Sequence, residues 1–386
     1  MHFDFINTIG IIFVLTTIFA TLSVFIKQPF FIGYILSGII LGPYFLNIIK
    51  NHTFIEELSH IGIILLLFLA GLTLHPQKLK ENVSKIIIPF LIYSSSLFFI
   101  SFLLFAFFFK YSYSISLILS SITIFSSTIL VVKMLPTIEL HQKKLGSYII
   151  SFLILQDIVA IIIISFISSI SNIKTIFYKT FPLFILLITI AYLFEKFILS
   201  KSFIKIENYP ELLFNIGIGW SFILAIIAKK IGLSYEIGAF TAGVILATNP
   251  ISFYISEKLK PLRDFFLLLF FFALGVQTNL ILLKEKFMYI CLFLLIILIL
   301  KPIIFRLSFR ISNINLDIIK EMSIRVDQMS EFGILIAITA YNKNLINEEI
   351  YNLISLTIII SFILSSYLTS FKYPSPISPI EELKME

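Results

Sequence analysis

Gln156-Asp157 lies about midway along an apolar stretch from roughly residue 145 to 168, with no lysine or arginine near it. A carboxylate at that depth costs about 2.5 to 3.5 kcal/mol on insertion scales, so it is kept where it faces a polar pathway or a partner. A group that can hold either a proton or a metal ion, but not both, is the minimum chemistry for exchanging one for the other. The plainer alternative is a structural acid that stays protonated against a neighbouring helix. Gln156 is an uncharged amide, suited equally to joining helices and to binding an ion.

Three further polar sets interrupt apolar runs. Lys301 stands before Pro302, which removes a helix donor and can free a carbonyl. Its side chain either snorkels to the membrane edge near Arg306 or points inward toward an acid. Ser120, Ser121, Thr123, Ser126, Ser127 and Thr128 crowd one run, where hydroxyls and loosened carbonyls suit a partly dehydrated alkali cation but also close helix packing. Arg325, Asp327, Gln328 and Glu331 precede another. Glu321 and Arg325, four apart, fit a plain salt bridge, whereas Glu331 has no local partner and is expected in the core.

Transmembrane helices must position these groups. Hydrophobic residues make up 59% of the 386 and charged ones 13%, and the mean hydropathy is +1.03, values that do not fit a water-facing surface. Continuous apolar runs without two-residue alternation select helices over a barrel. The formal charge of +7 comes from lysines scattered between those runs, which orient the chain at a lipid surface and give no nucleic-acid signal. Histidines lack metal-ligand spacing, and no phosphate loop, nucleophile elbow or potassium selectivity filter is present. Neither an enzyme nor a cofactor is expected.

Turn and charge signals divide the chain into about thirteen spans of the length a bilayer requires. The first opens on acidic Asp4 without a cleavage site, so it is expected to be retained. Residues 1–371 form the transmembrane domain and 372–386 a short proline-rich cytoplasmic tail, with no soluble regulatory module. The side that holds Lys78, Lys80, Lys85, Lys133, Lys143, Lys144, Lys196, Lys201, Lys205, Lys258, Lys260 and Arg263 is richer in basic residues, which predicts a cytoplasmic C-terminus and an external N-terminus.

Several stretches, in order, resemble the Kef-type branch of the monovalent cation:proton antiporter family. They are Gly-Tyr-Ile-Leu-Ser-Gly-Ile-Ile-Leu-Gly-Pro (33–43), Leu-Leu-Leu-Phe-Leu-Ala-Gly-Leu-Thr-Leu-His-Pro (65–76), Ser-Ser-Thr (126–128) and Gln-Asp (156–157). Ile-Gly-Ala-Phe-Thr-Ala-Gly-Val-Ile-Leu-Ala (237–247), Phe-Phe-Phe-Ala-Leu-Gly-Val (270–276) and Asp-Gln-Met-Ser-Glu-Phe-Gly (327–333) complete the series.

The resemblance implies an all-α membrane protein of two inverted repeats, with crossed discontinuous helices in the fifth and twelfth spans. A core (about 83–168 and 283–371) would move against a dimerisation scaffold (about 1–73 and 210–278), with a linker helix at about 175–200, in a homodimer of the cell (inner) membrane. It makes Asp157 the carrier of a monovalent cation, K+ or Na+, or of H+. Gln156, Ser126, Ser127 and Thr128 stand beside it, and Lys301 and Glu331 compensate charge or couple protons. No Gly or Pro inside the fifth span marks a break. Asp327 stands where relatives usually have a small residue, and Thr248-Asn249 replace a more usual pair that contains an acid. Full-length Kef systems continue into a nucleotide-binding domain that responds to glutathione, a control not carried over to a chain ending at Glu386. A conducting pore without proton coupling and a non-transporting membrane scaffold are the rival readings.

Overall fold

The computed structural model describes the chain except for residues 1–4, 50–51, 73–75, 137–143, 169–180, 207–208, 234, 281–283, 379 and 385–386. Asp4, the end of the 65–76 stretch and the start of the expected linker helix therefore lie partly or wholly outside the described residues. In chain order the helices are α1 (Phe5–Phe25), α2 (Phe30–Leu41), α3 (His52–Leu72), α4 (Pro76–Leu103), α5 (Tyr113–Thr123) and α6 (Thr128–Met134). Next come α7 (Lys144–Ser168), α8 (Phe181–Phe194), α9 (Ser200–Ile206), α10 (Pro210–Lys230), α11 (Tyr235–Leu246) and α12 (Ser252–Gln277). The series ends with α13 (Phe287–Leu295), α14 (Lys301–Phe309), α15 (Leu316–Arg325), α16 (Glu331–Asn342) and α17 (Glu348–Lys372). Among the described residues there is no strand beyond one isolated bridge, Ser375 to Lys384.

Seven stretches are long and apolar enough to cross a membrane, and four shorter apolar helices accompany them among the described residues. Tyr113–Met134 and Glu348–Lys372 are the most enclosed of the seven, 72% buried, against 22% for Pro182–Phe203. Both are rich in buried hydroxyls, which inside a bundle find partners that lipid cannot offer.

The chain forms two compact units. One comprises Met1–Lys50, Lys80–Ile163 and Leu274–Glu386, the other Asn51–Leu79 and Ile164–Ala273. In the first, an aromatic cluster seats α7 against α4 and α14. Phe152 meets Phe90, Tyr93, Phe305 and Phe309 edge-on at 5.1 to 5.7 Å, and Phe305 stacks on Phe309 at 4.2 Å. That packing fixes the rotation of α7 one turn before Gln156. Gly33 lets α2 touch α1 backbone to backbone, since a Cβ there would lie 2.3 Å from the Ala20 nitrogen.

The second unit packs α3, α10 and α11 around Phe68, Trp220, Leu224 and Leu246. Gly243 is its contact point: a Cβ would meet the Phe68 carbonyl oxygen at 2.1 Å. Glycines in the 33–43 and 237–247 stretches thus serve helix packing. This unit also buries Glu195, on a π-helical turn (Glu195–Leu199) after α8. Its Oε1 accepts from the Ser200 hydroxyl at 2.7 Å and from Asn249 Nδ2 at 2.9 Å. Asn249, noted above as a replacement, is a partner of that acid.

Candidate functional site

Two helices of the first unit are interrupted at the same place. Between α5 and α6, Ile124 to Ser127 leave the helix, and between α15 and α16, Val326 to Ser330 do so. The fifth span thus breaks without Gly or Pro. Its exposed backbone groups are taken up by side chains from other helices, as a backbone group away from water must be.

Gln156 is the first brace: its Oε1 accepts from Ser126 N at 2.9 Å and its Nε2 donates to the Ile124 carbonyl at 2.7 Å. The Tyr93 hydroxyl also donates to Ile124 O, at 3.2 Å. The Ser126 hydroxyl crosses to the other break and donates to Val326 O at 2.7 Å. Gln328 Nε2 reaches Ser127 O at 3.4 Å, and the Ser361 hydroxyl accepts from Met329 N at 3.2 Å.

Lys301 is the second brace. A π-helical turn (Ile296–Leu300) precedes it, shifting its register in the span and aiming it inward. Its ammonium, wholly buried, donates to Phe125 O at 2.7 Å and to Gln328 O at 2.6 Å. The side chain thus points inward, but onto two carbonyls and not onto an acid. These carbonyls close the C-terminal ends of α5 and α15, where helix dipoles leave partial negative charge.

The opposite ends of the breaks begin α6 and α16, where partial charge is positive and carboxylates are favoured. Asp157 lies there, with the Thr128 hydroxyl 3.5 and 3.4 Å from its two oxygens, contacts at the outer limit of a hydrogen bond. Glu331 opens α16, interacts with the Ser127 hydroxyl and the Ile129 backbone, and its charge is felt at Asp157. Ser127 also caps α6, its hydroxyl accepting from Leu130 N at 3.1 Å.

The sequence-derived residues therefore fall into two groups. Asp157, Glu331, Ser127 and Thr128 gather at the helix N-termini, while Gln156, Ser126 and Lys301 hold the breaks. Ser120, Ser121 and Thr123 donate to carbonyls of their own helix. Arg325 makes the expected ion pair with Glu321 at 2.7 Å and also donates to Met134 O and Pro374 O, tying α6 and the tail to α15. The sequence did not point to Tyr93 or to α17. Ser361, Ser365 and Thr369, four apart along an apolar helix, were the available signal: Ser361 and Ser365 bond the second break, and Ser365 and Thr369 lie beside Arg325. No group of metal-binding side chains of the His, Cys, Asp and Glu type occurs among the described residues.

A family model for the transmembrane sodium/hydrogen exchanger matches residues 11–371. The chain belongs to the sodium/hydrogen exchanger family. K(+) efflux antiporter 4 of Arabidopsis thaliana is 25% identical over 87% of this chain and 58% of its own length. The probable Na(+)/H(+) antiporter GerT of Bacillus cereus is 24% identical over 88% of this chain and 91% of its own. The glutathione-regulated potassium-efflux protein KefC of Escherichia fergusonii is 24% identical, and 54% of it is covered. The chain thus spans little more than half the length of the potassium-efflux relatives it matches. Among solved structures, the sodium proton antiporter MjNhaP1 of Methanocaldococcus jannaschii superposes with a TM-score of 0.73 at 19% identity, over 94% of this chain and 96% of that one, a likeness of fold. The kinship with Kef-type antiporters expected from the sequence is borne out, in a family of multi-pass membrane transporters and not of enzymes.

Proposed function

We propose that this protein exchanges a monovalent cation, K+ or Na+, for H+ by alternating access, with Asp157 as the carrier. One observation carries the reading: Asp157 is buried, yet its oxygens have only long contacts to Thr128. A carboxyl so loosely held inside the membrane is unstable as a bare anion, and either a cation or a proton relieves it. Because both neutralise the same charge, binding one expels the other, and one H+ moves for each cation.

The Thr128 hydroxyl and the oxygens of Ser126 and Ser127 supply neutral ligands, Glu331 adds negative charge, and Lys301 and Gln156 keep the breaks open. In this reading the core (83–168 and 283–371) moves against a scaffold (1–73 and 210–278) that pairs two copies, within an inverted-repeat fold whose C-terminus is cytoplasmic in the inner membrane. In inside-out vesicles carrying a pH-sensitive dye, K+ or Na+ should collapse a preformed proton gradient. Asp157→Asn should abolish that response, and a variant retaining full exchange would exclude Asp157 as the carrier.

A further inference from the structure

We propose that Gln28, at the corner between α1 and α2, and Ser366 of α17 form a latch that holds the core against the scaffold and must open for the core to move. The inference rests on the antiport reading and adds to it the contact that gates the movement.

The corner takes its shape from its own backbone. Lys27 N donates to Val24 O at 3.0 Å and Gln28 N to Ser23 O at 2.8 Å, with Lys27 in the left-handed conformation, φ +60°, that commonly ends a helix. Gln28 is buried, and its Oε1 accepts from the Ser366 hydroxyl at 2.6 Å. Beside this bond the Tyr367 hydroxyl donates to Ile26 O at 3.1 Å, and the Lys133 ammonium of α6 lies 5.4 Å from the centre of the Phe30 ring. These contacts fall inside one compact unit, which holds Met1–Lys50 together with α6 and α17. Arg325 bonds both Met134 O at the end of α6 and Pro374 O just past α17, so the two helices end on the same face, cytoplasmic in the proposed orientation.

The Gln28–Ser366 bond has the chemistry of a contact made and broken repeatedly. Ser366 has one hydroxyl hydrogen and two acceptors in reach, Gln28 Oε1 at 2.6 Å and Ile363 O of its own helix at 2.8 Å. When Gln28 leaves, the hydroxyl turns wholly to Ile363, and no donor is stranded. Gln28 is strained by staying: its Nε2 has no hydrogen-bond partner, and a buried group so left costs about 1 to 3 kcal/mol. Withdrawal into water satisfies both ends of that amide and offsets the lost bond. Gln156, which braces the first break, has both ends of its amide bonded instead.

The latch is also tied to the site. Ser365, the neighbour of Ser366, bonds Asp327 Oδ1 and, at 3.2 Å, Gln328 Oε1 in the second break. Two successive residues of α17 thus hold the break and the corner, and a displacement of α17 from the corner acts on both.

The test joins the two sides. In a Cys291→Ser background, which removes the one native thiol, Gln28→Cys/Ser366→Cys is reconstituted in liposomes and treated with a short bifunctional methanethiosulfonate. Peptide mass spectrometry should show the two introduced residues joined. Exchange should then fall at least about tenfold and return when a reductant cleaves the link, while each single variant keeps its own untreated rate. Gln28→Cys alone gives a second measurement. In inside-out vesicles its modification by a membrane-impermeant maleimide should quicken at least about threefold during exchange, and should not once Asp157→Asn is added. A pair that does not join, a joined pair that exchanges at its untreated rate, or a Gln28→Cys thiol that reacts no faster during exchange than at rest would overturn the latch alone. A wild type that moves no cation overturns the antiport reading, and the latch falls with it.

Discussion

Asp157 and Glu195 are both buried carboxyls in apolar helices, and their surroundings differ in one respect. Glu195 has an oxygen filled at 2.7 and 2.9 Å by Ser200 and Asn249, and Asn249 also lies 3.0 Å from Ser200. Asp157 has only Thr128, at 3.4 and 3.5 Å. A closed set of short bonds makes a carboxyl part of the scaffold, and an open set leaves it free to take a ligand. Burial alone therefore does not distinguish the two acids; the distance of their fixed partners does.

The sharpest way to break this comparison is to neutralise each acid in turn. Asp157→Asn should reduce dye-detected exchange to the background of empty vesicles, whereas Glu195→Gln should keep exchange within about twofold, because an amide oxygen still accepts from Ser200 and Asn249. If the two variants behaved alike, partner distance would carry no information about the carrier. Next in size is the brace itself. Lys301→Met leaves the buried carbonyls of Phe125 and Gln328 without their donor and should lower stability by about 3 kcal/mol, read from unfolding in detergent.

The contact at Asp157 is a smaller matter. Thr128→Val keeps the shape and removes the hydroxyl, so the cation concentration for half-maximal exchange should rise about threefold, the equivalent of a weak neutral hydrogen bond, with the maximal rate little changed. A surface pair sets the lower bound. Lys286 lies 2.5 Å from Glu349, and that hydrogen bond raises its pKa. A raised folded value means the contribution is complete below the unfolded lysine range and fades as pH climbs through the folded one. Lys286→Gln should therefore cost less than about 1 kcal/mol at pH 8 and nothing in strongly alkaline buffer.

Asp157 was legible in the sequence because an acid amid isoleucine and valine has few uses. Both breaks were expected only by resemblance, since the fifth span contains neither Gly nor Pro; what opens it is Gln156, Lys301 and Gln328, whose partners lie 30 to 201 residues away. No local pattern encodes such bonds. Glu195 escaped notice for the opposite reason: it stands near the end of its span, where an acid reads as interfacial, and only the fold brings Asn249 against it. The roles of the two glycine-bearing stretches were equally hidden, because a contact at Gly243 depends on which helix crosses it.

The interruption at Ile124–Ser127 also orders events during synthesis. Of the side chains that hold it only Tyr93 precedes it; Gln156, Lys301 and Gln328 all follow, so when Tyr113–Met134 first enters the bilayer those three braces have not yet been made. A peptide of that segment alone has every reason to remain one uninterrupted rod, satisfying its own carbonyls. Opening must wait for translation of the last third of the protein, and nascent chains halted ahead of Lys301 should carry the unopened form.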